Sequence, residues 1–245
     1  MSKKAIFKGV FILLLIITHK TVGQVAVEND SIKKIKLKRP SSLKAGDTIV
    51  ILAPAGILKN RIPTIQKAAK LAESWGLKVV LGAHIFNQNH HFSGTDEQRT
   101  LDFQKALDNP NIKAIWAARG GYGSVRVLDK LSYAAFVKHP KWIIGYSDIT
   151  AFHSHIHNLG VETIHGMMAS SLEENPADIR ETISSFKRAL FGTQLAYTIP
   201  SSKYNRNTIV NTDKVLKGQL VGGNLSILMS MLGSVSQLDT AHKIL

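Results

Sequence analysis

The sequence predicts an α/β fold: a flavodoxin-like parallel sheet with helices on both faces, followed by the start of a smaller, incomplete C-terminal α/β domain. Three observations support this prediction. Short apolar, β-branched runs alternate with segments that carry apolar residues at helical spacing. Gly, Pro or Asn closes most of these segments. From residue 193 the pattern changes to alternation at strand spacing, with Pro, Ser and Asn turns.

Five strands are predicted within residues 42–192, at "DTIVILAP", "LKVVLG", "IKAIWAA", "KWIIGY" and "VETIH". Helices are predicted between and after them, at "RIPTIQKAAKLAESWG", "DEQRTLDFQKALD", "SVRVLDKLSYAAF", "DITAFHSHIHNL" and "PADIRETISSFKRALFG". Pro54 stops the first strand, Gly76 ends the first helix, and Thr95 with Gln98 forms a capping box for the second. Because each strand is followed by a helix, right-handed crossovers would make the sheet parallel.

Residues 193–245 are predicted to begin a second domain. "KVLKGQLVGGNLSILMSMLGS" indicates a strand, a glycine turn and a helix, and "HKIL" indicates the opening of another strand. Because the chain stops within that strand, we expect this domain to be truncated.

The composition limits the chemistry that the chain can perform. With 245 residues and 44% hydrophobic content, it can bury one sizeable core. It has no cysteine, so disulfides, thiolate nucleophiles and thiolate metal sites are excluded, and covalent chemistry would use a hydroxyl. The net charge of +14 becomes +10 without the four lysines of the first 23 residues. These basic residues are scattered except in "KKIKLKR" and lack an aromatic stacking surface, so we expect no nucleic-acid partner.

Residues 1–23 read as a signal peptide. Lys3, Lys4 and Lys8 precede the apolar run "GVFILLLIIT", and "TVG" places small residues near a cleavage point. The alternative is an uncleaved anchor, because the leader lacks a strong Ala-x-Ala, although the apolar run is short for a bilayer span. We expect export to the periplasm or cell surface, with membrane contact only through an uncleaved leader. Residues 24–41 are predicted to be a linker or entering arm.

A glycine-rich loop, "RGGYG" at residues 119–123, directly follows the third predicted strand. Ligands of open parallel sheets bind at the carboxyl ends of the strands, and glycines allow backbone N–H groups to face a ligand. The alternative is an ordinary tight turn between strand and helix. The loop lacks the spacing of dinucleotide and P-loop motifs.

Ser147 lies in "KWIIGYSDIT", where a predicted strand ends and a helix begins. This strand–turn–helix setting is typical of a nucleophile elbow, in which the helix N-terminus stabilises an oxyanion. The spacing G-Y-S-D differs from G-x-S-x-G, however. Ser147 or Asp148 could instead be a plain helix N-cap, and the spacing alone does not choose between the two readings.

The histidines do not form a recognisable metal site. His153, His155 and His157 alternate along one predicted helix, and only His153 and His157 would share a face. Without an acidic third ligand nearby, we expect no metal and no other cofactor. His165 ends the last predicted strand and is expected to line the site rather than act as the base.

Five segments resemble, in order and spacing, the LD-carboxypeptidase family of serine peptidases (family S66), which includes the microcin C self-immunity hydrolases. The segments are "RPSSLKAGDTIVILAPAG", "IWAARGGYGSVRVLDKL", "IIGYSDITAFHSHIH", "ETIHG" and "LKGQLVGGNLSILMSMLGS". The resemblance implies that the chain is part of a hydrolase that cleaves the bond between an L-lysyl or meso-diaminopimelyl residue and D-alanine in murein tetrapeptides. The hydrolysis of aminoacyl adenylate antibiotics is the same-class alternative.

The resemblance also implies roles for individual residues. Ser147 would be the nucleophile, and the backbone amides of Gly121 and Asp148 would form the oxyanion hole. Gly120, Tyr122 and His165 are expected to contact the substrate, a murein tetrapeptide or muropeptide. A homodimer is also implied.

Two departures from the family pattern stand out. Met167 replaces a proline that usually follows the "HG" of "ETIHG". The family's catalytic glutamate and histidine follow the "GGNLS" helix, and we find neither before Leu245. We therefore expect the 245-residue chain to be inactive, or to be a non-catalytic muropeptide-binding protein if translation ends there.

Overall fold

The computed structural model describes residues 36–175, 177–197 and 217–245. The predicted signal peptide, most of the predicted linker and most of the alternating segment after residue 193 lie outside these ranges. No helix of the described residues is long and apolar enough to cross a membrane. The strands are β1 Thr48–Leu52, β2 Lys78–Leu81, β3 Ile112–Ala117, β4 Trp142–Gly145 and β5 Ile164–His165. The helices are α1 Ile62–Glu73, α2 Asp96–Asp108, α3 Ser124–Leu128, α4 Ala134–Lys138, α5 Thr150–Asn158, α6 Arg180–Leu190 and α7 Leu225–Ser230.

The five strands form one parallel sheet in the order β2-β1-β3-β4-β5. This is the strand order of the flavodoxin-like fold, as predicted. From β1 the chain first adds β2 on one side of the sheet and then adds β3 on the other side. The strand order therefore reverses between β1 and β3, which pair with Ile51 beside Trp116. In folds of this kind, the crevice at that switch point is the usual ligand site.

Two apolar clusters cover the two faces of the sheet. Along β1, Ile49 and Ile51 point to one face, and Val50 and Leu52 point to the other. The first cluster includes side chains of α1 and α6, and the second includes side chains of α2 to α5. Both faces of β1 are therefore buried, as expected for a parallel sheet covered by helices on both sides.

Local sequence signals place several of the helix ends correctly. The capping box of α2 is present: the Gln98 backbone N–H donates to Thr95 Oγ1 at 3.2 Å, and the Thr95 N–H donates to the Gln98 side chain at 3.0 Å. Gly76 adopts φ +86° just after α1, where a side chain would be strained.

The prediction of one continuous helix over residues 124–136 is wrong, because α3 ends at Leu128 and α4 begins at Ala134. Gln104 of α2 bonds the backbone between them, donating to the Ser132 carbonyl at 3.0 Å and accepting from its N–H at 2.8 Å. The predicted strand "VETIH" is also shorter than expected and pairs with β4 only at Ile164–His165.

The end of the predicted linker and the C-terminal segment both pack against the sheet domain. The Lys38 N–H donates to the Gly160 carbonyl at 2.7 Å, so the linker runs beside the start of the β5 segment. At the other end of the chain, Ser154 Oγ of α5 donates to the Ser236 carbonyl at 2.6 Å. Leu220 forms a single parallel bridge with Ile244, near the predicted strand "HKIL".

Candidate active site

The loops after β1, β3 and β4 meet at one edge of the sheet, because parallel strands end at the same edge. The Gly56 N–H, after β1, donates to the Gly120 carbonyl, after β3, at 2.9 Å. A Cβ placed on Gly120 would lie 3.4 Å from Ser147 Cβ and 3.5 Å from the Asp148 nitrogen. The two motifs that the sequence singles out, residues 119–123 and the segment around Ser147, are therefore in direct contact.

Ser147 occupies a sharp, left-handed turn. Its φ is +58°, which residues with a Cβ rarely adopt, and it starts a 3₁₀ turn, Ser147–Ile149, that leads into α5. Gly145 makes the turn possible, since a Cβ there would lie 2.7 Å from Ile149 Cγ1. The Ser147 side chain is partly exposed and has no hydrogen-bond partner among the described residues. A left-handed residue between a strand and a helix is the backbone setting of a nucleophile elbow, so the turn is compatible with the predicted role of Ser147.

The alternative reading of Ser147 or Asp148 as a helix N-cap does not fit the structure. Tyr146 precedes the 3₁₀ turn, Ile149 precedes α5, and neither helix start has a side-chain cap. The Asp148 carboxylate caps neither helix start, and its Oδ2 accepts from the Ser124 N–H of α3 at 2.8 Å.

The glycine loop needs glycine at specific positions. Gly121 has φ +105° and Gly123 has φ +140°, both strained for any other residue. A Cβ on Gly121 would also lie 3.3 Å from Gly56 Cα. The loop is therefore pressed against both the β1 loop and the Ser147 turn. The contact between the glycine loop and the Ser147 turn is compatible with an oxyanion hole formed by the Gly121 and Asp148 amides. These two roles stay predictions.

Two buried charged groups lie beneath these loops. Asp148 is 1% exposed, and burial raises the pKa of its carboxyl, against the opposing effects of the Ser124 hydrogen bond and the Arg99 charge. Arg99 of α2 is also 1% exposed, and burial lowers its pKa. Arg99 is not among the site residues predicted from the sequence. A signal was available, because Arg99 shares the buried face of α2 with Phe103 and Ala106.

The nearby histidines have defined positions. His153 Nε2 lies 2.9 Å from the Gly145 carbonyl, which can only accept, so this nitrogen carries the proton, and Nδ1 accepts from Thr163 Oγ1 at 2.8 Å. Burial lowers the pKa of His153 to about 4. His165 lies edge-on to Tyr146, with ring centroids 6.4 Å apart, and partial burial lowers its pKa. Neither histidine hydrogen-bonds Ser147 among the described residues.

The remaining predicted substrate contacts lie beside the glycine loop. Tyr122 is 48% exposed, and its ring centroid is 6.0 Å from that of Phe92, so it can present an aromatic face to a ligand. Within the described ranges, no three His, Asp or Glu side chains come together in a way that could hold a metal ion. Met167 is buried in the core, and its carbonyl accepts from Trp116 Nε1 at 2.8 Å.

A cavity of about 770 Å³ lies next to this site, along the β5 edge. His153, His165 and the segment 218–223 line it, whereas Ser147 does not.

Comparison with known proteins gives consistent matches. Residues 49–166 match the family model Peptidase_S66, described as the LD-carboxypeptidase N-terminal domain. The chain is 34% identical over 209 residues to a Bacillus subtilis (strain 168) protein named "Probable murein peptide carboxypeptidase", covering 84% of this chain and 63% of the relative. It is 30% identical over 212 residues to a Pseudomonas aeruginosa protein named "Murein tetrapeptide carboxypeptidase", and the match covers 82% of this chain and 66% of the relative. The chain thus spans a little under two thirds of these relatives' lengths.

A solved structure has the same fold. It is the microcin C7 self-immunity protein MccF in complex with aspartyl sulfamoyl adenosine, with a TM-score of 0.67 and 28% sequence identity. The match covers 81% of this chain and 67% of that one.

Proposed function

The chain belongs to the LD-carboxypeptidase family, peptidase S66, and from this membership we propose that it is the nucleophile-bearing part of a serine carboxypeptidase that acts on murein peptides. The observation that carries the proposal is the left-handed turn at Ser147, φ +58°, in contact with the glycine loop. The relatives named murein peptide and murein tetrapeptide carboxypeptidase support the substrate class. The substrate is a murein tetrapeptide or muropeptide that ends in D-alanine.

In the proposed reaction, Ser147 Oγ attacks the carbonyl carbon of the L-centre residue and loses its proton to a base. The amides of Gly121 and Asp148 stabilise the oxyanion of the tetrahedral intermediate. D-alanine leaves as its nitrogen takes up a proton, and the acyl group remains on Ser147 as an ester. Water then hydrolyses the ester and restores the serine. We assign the base to no described residue.

The test uses the protein encoded by the whole reading frame, incubated with murein tetrapeptide, with D-alanine release followed by mass spectrometry. Ser147→Ala should reduce turnover by at least about 1,000-fold, with folding and substrate binding nearly intact, because only one hydroxyl is removed. A folded wild-type protein that releases no D-alanine would contradict the proposed function. Near-normal turnover by Ser147→Ala would rule out covalent catalysis at this residue.

A second candidate function is hydrolysis of an aminoacyl adenylate. The similarity to the MccF structure with bound aspartyl sulfamoyl adenosine favours it. Cleavage of an aminoacyl sulfamoyl adenylate in the same assay, without D-alanine release from tetrapeptide, would select this alternative over the murein substrate.

We propose further that the 245-residue chain by itself has no peptidase activity, because no described histidine is bonded to Ser147 to accept its proton. The 245-residue chain should be compared on the same tetrapeptide with the Pseudomonas aeruginosa relative named murein tetrapeptide carboxypeptidase. Turnover by the relative alone is expected. Turnover by the 245-residue chain would show that a base is present, and His165 would be the first residue to test.

Export is proposed from the N-terminal 23 residues, whose basic start and apolar run fit a secretory leader. Fractionation of cells that express the full reading frame should place the protein outside the cytoplasm, with the leader removed. A cytoplasmic protein that retains residues 1–23 would contradict this.

A further inference from the structure

One peptide group in the site is held from both ends by buried charged side chains. It joins Gly123 to Ser124, at the point where the glycine loop becomes α3. Its N–H donates to Asp148 Oδ2 at 2.8 Å, and its C=O accepts from Arg99 Nη1 at 3.0 Å. Asp148 is the residue after the serine, so the serine turn is connected directly to this peptide group.

Arg99 connects a third loop to the same point. Its Nη1 also donates to the Pro54 carbonyl after β1, at 2.6 Å, and its Nη2 bonds Asp96. Its guanidinium lies 4.8 Å from the Phe92 ring centroid. The fit around Gly123 is close, since a Cβ there would lie 2.8 Å from Arg99 Nη1. One planar side chain with several donors therefore fixes the loops after β1 and β3 relative to each other.

A hydrogen bond at each end restricts rotation of the Gly123–Ser124 peptide group. Gly121, only two residues earlier, is in the left-handed region and has no side chain to hold it in place. An oxyanion hole depends on donors that are fixed in place before the reaction, and small displacements are costly. Burying two charged side chains costs free energy of desolvation, and two apolar side chains would fill the same space without that cost. The charged pair is therefore not explained by packing alone.

We infer that Arg99 and the Asp148 carboxylate are a pair of positioning residues that orient the Gly121 amide toward Ser147 by fixing the Gly123–Ser124 peptide group. This inference rests on the proposed function for the direction in which the amide must point. It assigns the Asp148 side chain a role separate from that of its backbone amide. Arg99 acts only through the loops and does not touch the substrate.

The first test is nuclear magnetic resonance on the labelled 245-residue chain, as wild type, Arg99→Lys and Asp148→Ala, which removes the acceptor of the Ser124 N–H. In both variants the backbone order parameter of Gly121 should fall from about 0.85 toward about 0.6, and the Ser124 amide should exchange about tenfold faster. Leu107→Ala is the matched control, because Leu107 is buried on the same helix as Arg99 and its loss lowers stability without removing a hydrogen bond to the loops. Unchanged order parameters in both variants would overturn the inference.

The second test is steady-state kinetics in the form of the protein that releases D-alanine. Both variants should lower kcat by about 10- to 100-fold with KM changed by less than about twofold, whereas Leu107→Ala leaves kcat per folded molecule unchanged. The double variant should lose less than the product of the single losses, because both residues act on one peptide group. A more mobile Gly121 with unchanged kcat would reduce the pair to a structural clamp and overturn the positioning role.

The two proposals can fail separately. If no form of the wild-type protein hydrolyses either substrate, the proposed function fails, and the Gly121 order parameters alone decide whether the pair fixes the loop. If the wild type is active and the variants behave like Leu107→Ala, the proposed function stands and the positioning role fails.

Discussion

Ser147 shows how strongly a site can constrain a single residue. Its left-handed φ of +58° costs a residue with a Cβ about 1–2 kcal/mol of conformational free energy. Favourable contacts elsewhere in the fold must offset this cost. The turn presents the side chain at the carboxyl edge of the sheet and leaves the hydroxyl without a partner in the described part of the chain. The same backbone strain gives a test of the turn that does not depend on catalysis.

Ser147→Gly should be more stable than Ser147→Ala by about 1 kcal/mol, because both variants lose the hydroxyl and only glycine relaxes at positive φ. Urea unfolding measures the difference. Exposed Ser184, in the middle of α6, is the matched control, since there glycine should be the less stable by about 1 kcal/mol. Equal stability of the two Ser147 variants would contradict the left-handed turn.

His153 is a second residue whose environment has a measurable consequence. Burial lowers its pKa to about 4, so below pH 6.5 the unfolded chain takes up a proton that the folded chain does not. The free energy of unfolding should therefore fall as the pH drops from 6.5 to 4, with His153 contributing up to about 3 kcal/mol. Urea unfolding of wild type and His153→Gln across this range measures its share. Parallel curves for the two proteins would show that His153 is not the group responsible.

At the scale of elements, the C-terminus of α2 is held by a residue from another element. Lys141, at the start of the β4 segment, is 1% exposed, and its Nζ donates to the carbonyls of Ala106, Leu107 and Asn109 at 2.7, 2.8 and 2.7 Å. The last carbonyls of a helix have no partner within it. The single ammonium group satisfies them and fixes α2 to the strand that leads to Ser147.

Lys141→Met should therefore lower the free energy of unfolding by about 2–4 kcal/mol, because buried carbonyls lose their donors. Exposed Lys113, which bonds one carbonyl, that of Pro110, at 2.8 Å, is the matched control. Lys113→Met should change stability by less than about 0.5 kcal/mol. Similar losses for the two variants in urea unfolding would mean that α2 does not need this contact.

At the scale of the whole molecule, the C-terminal segment exposes several apolar side chains. None of the α7 side chains is buried, and the exposed fractions reach 70% for Leu225, 57% for Met229 and 81% for Val235 beyond the helix. Exposed apolar side chains of this size favour association.

The 245-residue chain should therefore self-associate as its concentration rises, and a Leu225→Lys, Val235→Lys variant should shift it toward the monomer. Analytical ultracentrifugation measures the change. Ser226→Lys adds charge at an exposed polar position of the same helix and serves as the control. A wild-type chain that stays monomeric throughout, or a Ser226→Lys variant with the same effect, would contradict association through these side chains.

The sequence by itself determined the features that depend on neighbouring residues. The alternation of apolar runs and helical segments predicted the parallel sheet, the Thr95 capping box predicted the start of α2, and the strand–turn–helix pattern predicted the turn at Ser147. Family membership follows from the order of such local motifs. These signals act over a few residues, so they can be read along the chain.

Tertiary structure alone decided what depends on contacts between distant residues. Gln104 interrupts the helix predicted over residues 124–136 by bonding a backbone 28 residues away, and Arg99 bonds a carbonyl 45 residues away. The partner of the Asp148 carboxylate is 24 residues earlier in the chain, and the donors to the α2 carbonyls come from Lys141. Helical spacing can show that Arg99 will be buried, but no local pattern names its partners. Buried polar groups must find partners, and the fold determines which ones are within reach.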